Sequence, residues 1–243
     1  MKVDIVGNMC TWTQELSTSY IIDDKIMFDI PQGSFKTIYN KYDITKIDYI
    51  IISHFHSDHF MDIHLVLDIL CHYCDKKDIT IIAPKGCRER IIEMLKIVEV
   101  KYIEAYMNEH VTFIDCENGK TIKLGEYKIK TYKMIHKDLD AYGFIIENEQ
   151  HEKIGFSGDS CMCNSLHKIL RHCNSIFIDC ASTTANNKHL SVDEVIELSK
   201  EYDQVNFYPV HFSYNALNNL KEKINESNKN IFITHQGQVI EAN

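Results

Sequence analysis

Short apolar, β-branched runs alternate along this chain with stretches whose apolar residues recur at helical spacing, so the pattern predicts both strands and helices. The runs with strand character are residues 3–6, 19–23, 25–29, 47–53, 79–83, 100–106, 111–115, 121–124, 127–135, 141–147, 153–157, 175–179, 205–210 and 231–234. The stretches with helical character are residues 35–42, 61–74, 85–97, 163–172, 191–202 and 214–225. Strands cluster early and alternate with helices later. This order predicts an α/β (α+β) protein with two mixed β-sheets packed face to face and helices outside, a four-layer αββα sandwich.

The segments between these elements show no linker. The chain has three Pro and nine Gly and no low-complexity stretch, so we expect residues 1–243 to form a single domain. No run of about 18 apolar residues occurs, which predicts no membrane span, and Asp4 interrupts the apolar start that a signal peptide would need. Nine scattered cysteines, an odd number, favour reduced thiols in a cytoplasmic protein over a disulfide framework.

The charge of the chain limits its partners. A formal net charge of −9, from 35 acidic and 26 basic residues, argues against a broad electrostatic contact with nucleic acid. A small phosphorylated substrate is still compatible with this charge, because bound dications would reverse its local sign. Composition therefore argues against a large nucleic-acid surface and leaves a small phosphorylated ligand open. The sequence also leaves the oligomeric state open, a homodimer included.

One polar motif stands between a predicted strand and a predicted helix: residues 54–59, His-Phe-His-Ser-Asp-His. A tight turn here can direct His54 and His56 to one side and Asp58 and His59 to the other. Neutral imidazole and carboxylate are preferred ligands of zinc and similar divalent ions. The motif therefore predicts two metals side by side, against the alternative of a loop that is merely rich in histidine.

The motif resembles the signature of the metallo-β-lactamase superfamily of metallohydrolases, and the pattern is nearest to ribonuclease Z-like and small cyclic phosphodiesterase members. The resemblance extends from Gly7 to about Gly237 and implies the metallo-β-lactamase fold. It also implies two divalent ions per chain, with zinc the leading candidate and manganese or iron as alternatives. The ligands it implies are His54, His56 and His136 on one metal, Asp58, His59 and His211 on the other, and Asp159 between them.

The three distant ligands share a setting at the ends of predicted strands. His136 ends the run 127–135, Asp159 stands in a Ser-Gly-Asp-Ser turn, and His211 follows the run 205–210. Without the resemblance, each is equally a surface histidine at a strand end or, for Asp159, an aspartate that caps the next helix.

The resemblance implies that Asp29 does not bind metal itself but hydrogen bonds to a ligating histidine. Asp29 follows the apolar Ile-Met-Phe of a predicted strand, and in the family an Asp at this point orients a ligating imidazole. The alternative is an Asp that closes a turn. The chain departs from the family here, because Ile30 and Pro31 stand where a Gly is usual, so we expect a different local loop.

His189 matches the histidine that in ribonuclease Z-like phosphodiesterases donates a proton to the leaving oxygen as a general acid. The alternative is a histidine that only supports a ligand or lies on the surface. Relatives often carry His-Glu-Ala-Thr nearby, where the chain has Asp-Cys-Ala-Ser at 179–182. Cys180 replaces the supporting Glu, so we expect support for the acid to come from elsewhere or to be absent. Asp58, beside the attacking water, is the second candidate catalytic residue.

These residues favour a dinuclear metal-dependent hydrolase, with a phosphodiesterase that uses a metal-bridging hydroxide as the leading function. Ribonuclease Z holds transfer RNA with a long arm between the matches of His136 and Asp159, and the short segment here has room only for a hairpin. We therefore expect a small nucleotide or short oligonucleotide phosphodiester, no large nucleic-acid surface and no membrane. The alternatives are a metallohydrolase of a lactone or thioester, and a metal-binding regulatory protein without turnover.

Overall fold

Two mixed β-sheets form the centre of the computed structural model, which describes residues 1–225 and 228–242. The strands are β1 (Lys2–Gly7), β2 (Ser19–Ile22), β3 (Ile26–Phe28), β4 (Tyr49–Ile51), β5 (Ile79–Ala83), β6 (Val111–Asp115), β7 (Thr121–Leu124), β8 (Tyr127–Lys133), β9 (Tyr142–Glu147), β10 (Lys153–Phe156), β11 (Ser175–Asp179), β12 (Asn206–Val210) and β13 (Val239–Glu241). The first sheet has the order β13-β1-β2-β3-β4-β5-β6 and the second β12-β11-β10-β9-β8-β7. Residues 226, 227 and 243, which the predicted single domain 1–243 includes, lie outside the described residues.

Each sheet combines an antiparallel and a parallel part. In the first sheet the strands from β3 to β6 are parallel neighbours, and in the second sheet those from β10 to β12 are. Parallel strands need crossover connections, and these are helices. The helices are α1 (Phe35–Lys41), α2 (Ser57–Phe60), α3 (Ile63–Tyr73), α4 (Cys87–Ile97), α5 (Tyr102–His110), α6 (Asn164–Leu170), α7 (Val192–Glu201) and α8 (Tyr214–Lys223), with a 3₁₀ turn at Ile44–Lys46. Within the described ranges no helix combines the length and apolarity that crossing a bilayer requires.

The alternation of side chains across each strand explains the layers. In β4 and β5, Ile50 and Ile81 pack with the helices α3, α4 and α5, whereas Ile51 and Ile82 point into the space between the sheets. The second sheet behaves in the same way, since its outer face packs against α6, α7 and α8. Strands that are buried on both faces read as continuous apolar runs, as they do here. The predicted four-layer αββα sandwich of two mixed sheets is confirmed.

Aromatic rings fill the space between the two sheets. Phe28 of the first sheet stacks on Phe156 of the second at a centroid distance of 4.7 Å, and Tyr20 lies 4.9 Å from Phe177. Phe156 and Phe177 are themselves stacked at 5.2 Å. Ring pairs at these distances add stabilisation beyond the burial of their area. This layer holds the two sheets in a fixed relation, so that loops leaving one end of both sheets meet.

Two predicted strands are wrong. Residues 100–106 were expected to be extended, but Tyr102–His110 forms α5. Its buried residues Ile103, Tyr106 and Met107 follow helical spacing, and they pack with α3 and α4. Residues 231–234 were also expected to be a strand, yet only Ile231 makes an isolated bridge, to Phe207. The strand near the C-terminus is instead β13, which pairs with β1.

Candidate metal centre

The histidine and aspartate side chains named above lie where strands of both sheets end. His54 follows β4 by three residues, and Asp58 and His59 lie in the short helix α2. His136 follows β8, Asp159 follows β10 and His211 directly follows β12.

The turn before Asp159 depends on a glycine. Gly158 has φ +57°, and a Cβ there would lie 2.8 Å from the Tyr142 carbonyl oxygen. Only glycine adopts this conformation at such close approach without strain. The Ser-Gly-Asp sequence therefore places the Asp159 carboxylate against the loop that carries His54.

The first group of donor atoms comes from three imidazoles and one carboxylate. His56 Nδ1 lies 3.0 Å from His54 Nε2 and 3.3 Å from His136 Nε2. Asp159 Oδ2 lies 3.7 Å from His54 Nε2 and 3.9 Å from His136 Nε2. Burial lowers the pKa of His54 and His56. These imidazoles are therefore held in the neutral form, which is the form that binds metal.

The second group is Asp58, His59 and His211, and it shares Asp159 with the first. Asp58 Oδ2 lies 3.9 Å from His59 Nε2 and 3.8 Å from His211 Nε2. Asp159 presents Oδ1 to His59 Nε2 at 3.4 Å and Oδ2 to His211 Nε2 at 3.2 Å. Burial alone would raise the pKa of Asp159, but His211, His59 and His54 lower it well below its usual value. An ionised carboxylate therefore lies between the two groups.

The arrangement fits a pair of divalent ions. Tetrahedral zinc with bonds of about 2.0–2.1 Å to nitrogen places its donor atoms about 3.3–3.4 Å apart, close to the separations above. His59 Nε2 is buried and, within the described part of the chain, has no hydrogen-bond partner. Burial opposes protonation of His59, yet Asp159 and Asp29 raise its pKa well above the usual value. A divalent ion at this nitrogen would replace that proton and offset the charge of Asp159, while Nδ1 keeps its hydrogen bond to Asp29.

The second ring nitrogen of each buried histidine is also occupied, which fixes the ring. Such outer contacts set the tautomer and direct the other nitrogen at the metal. The pairs are His54 Nδ1 with Ser53 Oγ at 3.1 Å, His59 Nδ1 with Asp29 Oδ2 at 2.7 Å, His136 Nδ1 with the Lys188 carbonyl oxygen at 2.8 Å, and His211 Nδ1 with Thr18 Oγ1 at 3.3 Å. The rings are therefore oriented by the protein alone.

Asp29 lies in the position that the resemblance implied. Its carboxylate accepts hydrogen bonds from the Ser53 amide, the Ser53 hydroxyl and His59 Nδ1, each at 2.7 Å. Burial raises the pKa of Asp29, and the contacts with His59 and Ser53 oppose this rise. Ile30, where a Gly was usual, donates its amide to the His59 carbonyl oxygen at 2.8 Å and so joins the two loops. The structure brings all the predicted ligands together, and their roles as ligands stay predictions.

Replacing Asp29 with asparagine should weaken zinc binding about 10- to 100-fold, because the amide cannot accept all three hydrogen bonds and His59 loses its orientation. Competition for zinc with a chromogenic chelator measures this affinity. Asp62→Asn is the matched control, since Asp62 is equally close to the motif and buried but accepts a hydrogen bond from the Phe35 amide. An unchanged zinc affinity in Asp29→Asn would contradict the role of Asp29.

Comparison with known proteins decides the family. The family model described as "Beta-lactamase superfamily domain" matches residues 27–212. The chain belongs to the beta-lactamase superfamily. Its two mixed sheets and its buried histidine and aspartate cluster are those of a metallo-β-lactamase-fold hydrolase.

Individual relatives of this superfamily member are distant. Ribonuclease Z from Staphylococcus saprophyticus is 25% identical over 123 residues, which are 50% of this chain and 38% of that protein. The chain thus spans well under half the length of this curated relative. The metallo-β-lactamase fold protein YhfI from Bacillus subtilis has a TM-score of 0.77 at 17% identity, covering 99% of both chains. A diphosphatase from the PhnP family has a TM-score of 0.75 at 16% identity, covering 100% of this chain and 98% of its own.

His189 lies beside the donor atoms of this superfamily site. Its ring packs against His136 at a centroid distance of 4.9 Å and against His211 at 5.4 Å, and 23% of the side chain is exposed. Nδ1 donates to Asp179 Oδ2 at 2.8 Å and lies 3.9 Å from Asp159 Oδ2. His189, Asp159 and His211 also form a third group of close donor atoms. The hydrogen bond to Asp179 removes Nδ1 of His189 as a ligand atom.

Asp179 is a candidate positioning residue that the sequence did not single out. It is fully buried at the end of β11, and besides His189 it accepts hydrogen bonds from the Ser160 and Ala181 amides at 3.0 Å. Burial lowers the pKa of His189, but the charge and hydrogen bond of Asp179 outweigh it and raise the pKa to about 9. Cys180 packs in the outer apolar layer instead. Successive residues along a strand direction face opposite ways, so when Cys180 faces the outer layer, Asp179 faces the site and can support His189.

Proposed function

We propose that this protein hydrolyses phosphodiesters of small nucleotides or short oligonucleotides. The observation that carries the proposal is the His189–Asp179 pair, in which a buried carboxylate holds an imidazole at the edge of the metal-binding groups and favours its protonated form. Hydrolysis of a phosphodiester expels an alkoxide, and an alkoxide leaves far more readily when an acid protonates it. A thioester expels a stable thiolate and has little need of such an acid.

Hydrolysis needs a base for the attacking water and an acid for the leaving oxygen, and Asp58 and His189 can fill these roles. Divalent ions bound here would supply a water of lowered pKa and would withdraw charge from a phosphoryl oxygen. Burial opposes ionisation of Asp58, yet His59 and His211 hold the pKa of its carboxyl below the usual value. Asp58 can therefore accept a proton from the attacking water, and His189 can give one to the leaving oxygen.

The comparisons support this class of substrate without identifying it. Ribonuclease Z cleaves a phosphodiester bond, and a diphosphatase of the PhnP family shares the fold. The segment between His136 and Asp159 contains one hairpin, β9 and β10, and no inserted arm. The proposal therefore specifies a small substrate. It also includes a cytoplasmic location.

A substrate panel tests the proposal. Purified protein with zinc or manganese should hydrolyse bis(p-nitrophenyl) phosphate and at least one dinucleotide, cyclic nucleotide or short RNA. Lactones and a thioester serve as the contrasting substrates. Turnover of a lactone or thioester without turnover of any phosphodiester would refute the proposal, and less than one metal per chain after purification without chelator would favour a regulatory protein.

Replacing Asp179 with asparagine should move the basic limb of the pH dependence of kcat for a dinucleotide, whose leaving group is an alkoxide, to lower pH. His189 acts as an acid only when protonated, so its contribution is present below its pKa and is lost as the pH rises through that value. Removing the Asp179 charge removes what holds the pKa at about 9. Glu194→Gln is the control, because Glu194 lies nearby but binds the start of α7 through Ser191. A basic limb that stays in place would show that His189 is not the titrating acid.

A further inference from the structure

The loop after β1 places an indole ring at the cavity that the metal-binding groups line. Trp12 is the only tryptophan of the chain, and 88% of its surface is exposed. It lines a cavity of about 680 Å³ together with His56, Asp58 and His189. Cavities of about 300–1,000 Å³ are typical of sites for small ligands. Of the other exposed apolar side chains, Leu139 also lines this cavity, whereas Tyr73 and Ile97 do not.

The Trp12 loop, residues 10–14, is fastened on both sides of the indole. Before it, the Cys10 amide donates to the Phe212 carbonyl oxygen at 3.0 Å, and the Thr11 side chain lies beside the Asp58 carboxyl and helps to lower its pKa. After it, the Gln14 amide donates to the Tyr214 hydroxyl at 3.0 Å. The indole therefore projects from a fixed base, one residue away from a side chain that contacts a predicted ligand. Because the backbone on both sides is held, only the two side-chain torsions of Trp12 need to be ordered when a ligand packs on the indole.

Two lysines lie along another edge of the same cavity. Lys137 and Lys188 are exposed and line the cavity. Their loops are joined, because the Lys137 amide donates to the Asn187 carbonyl oxygen at 2.9 Å and the Lys188 carbonyl oxygen accepts from His136. In a chain of net charge −9, two cations at this edge favour a ligand that carries negative charge beyond the reacting phosphate.

We propose that the substrate is a nucleoside phosphodiester whose base stacks on Trp12 while a further phosphate lies against Lys137 and Lys188. The proposal rests on the proposed function and makes Trp12 a residue that determines specificity. Every nucleobase has a π face, so an indole can hold a base without reading its identity. The pocket would then select for nucleotide esters as a class over base-free esters.

Fluorescence tests the contact directly, because all tryptophan emission of this chain comes from Trp12. Adenosine monophosphate, which has no diester bond to lose, should quench the emission in a saturable way. Ribose 5-phosphate, the same molecule without its base, should compete with it and leave the emission unchanged. Adenosine monophosphate that inhibits hydrolysis without quenching would overturn the inference. Emission that instead changes with protein concentration would assign Trp12 to contact between copies and overturn it as well.

Kinetics provide a second test. The kcat/KM ratio of thymidine 5′-(p-nitrophenyl phosphate) to methyl p-nitrophenyl phosphate should fall roughly tenfold in Trp12→Ala and much less in Trp12→Phe, which keeps an aromatic ring. Tyr73→Ala removes an exposed aromatic ring elsewhere and should keep the ratio of the parent protein. An unchanged ratio in Trp12→Ala would overturn the inference while the phosphodiesterase proposal stands. If neither ester is hydrolysed, the proposed function fails, and quenching by adenosine monophosphate still reports on Trp12.

Discussion

Replacing His189 with alanine should lower kcat for a dinucleotide by about 10²–10⁴-fold, the usual contribution of a general acid. The loss should be much smaller for bis(p-nitrophenyl) phosphate, because p-nitrophenolate leaves without needing a proton. Steady-state kinetics with both substrates, on protein of known metal content, measure the difference. The dependence on the leaving group is the signature of an acid, and a residue that only supports the fold would not produce it.

The metal content of His189→Ala shows whether His189 acts as a general acid or as a metal ligand. The Nδ1 atom of His189 is bound to Asp179, so His189→Ala should keep its metal. His167→Ala is the matched control, since His167 is also half-buried but bonds to the Tyr202 hydroxyl away from the site. Loss of one metal in His189→Ala would instead show that His189 is a metal ligand, in the third donor group with Asp159 and His211. An equal loss of kcat on both substrates would also argue against an acid.

Replacing Asp159 with alanine should lower kcat/KM for any phosphodiester by roughly 10³-fold or more, since the charge stabilisation supplied by bound metal is worth several kcal/mol. This carboxylate approaches both donor groups, at 3.7 Å from His54 of the first group and 3.2 Å from His211 of the second. Without it, the imidazoles lose the negative charge that offsets two dications. Metal analysis should therefore show a loss from both sites.

The control for this variant is another aspartate at a strand end. Asp115 closes β6 and is exposed, so Asp115→Ala should retain metal and activity. Circular dichroism must show that Asp159→Ala keeps the fold. A folded Asp159→Ala protein that still holds two metals per chain would disprove the bridging position of Asp159.

Only part of the metal centre could be predicted from the residues themselves. His54, His56, Asp58 and His59 are adjacent, so their chemistry could be read from the residues themselves. His136, Asp159 and His211 are each a single polar residue at a strand end, and such residues are common. Only resemblance to a family could select them, because the contacts that join them are set by the packing of two sheets.

The misreadings have physical causes. Residues 100–106 are rich in residues that suit a strand, and the helix α5 forms because its buried face packs on α3 and α4. Support for His189 was expected at Cys180, the position of the Glu in relatives, but Cys180 faces the outer apolar layer and its neighbour Asp179 faces His189. Trp12 belongs to no motif, and its exposure is a property of the folded loop that no pattern of residues conveys.

The origin of the ligands in both sheets has a thermodynamic consequence. The motif at residues 54–59 follows a strand of the first sheet, and His136, Asp159 and His211 follow strands of the second. An ion held by ligands from both sheets can bind fully only after the two sheets have packed together, so metal occupancy and folding are linked. Free ion at a hundred times its Kd would stabilise the folded chain by about 2.7 kcal/mol. Depletion of metal by a chelator would then lower the melting temperature as well as the activity.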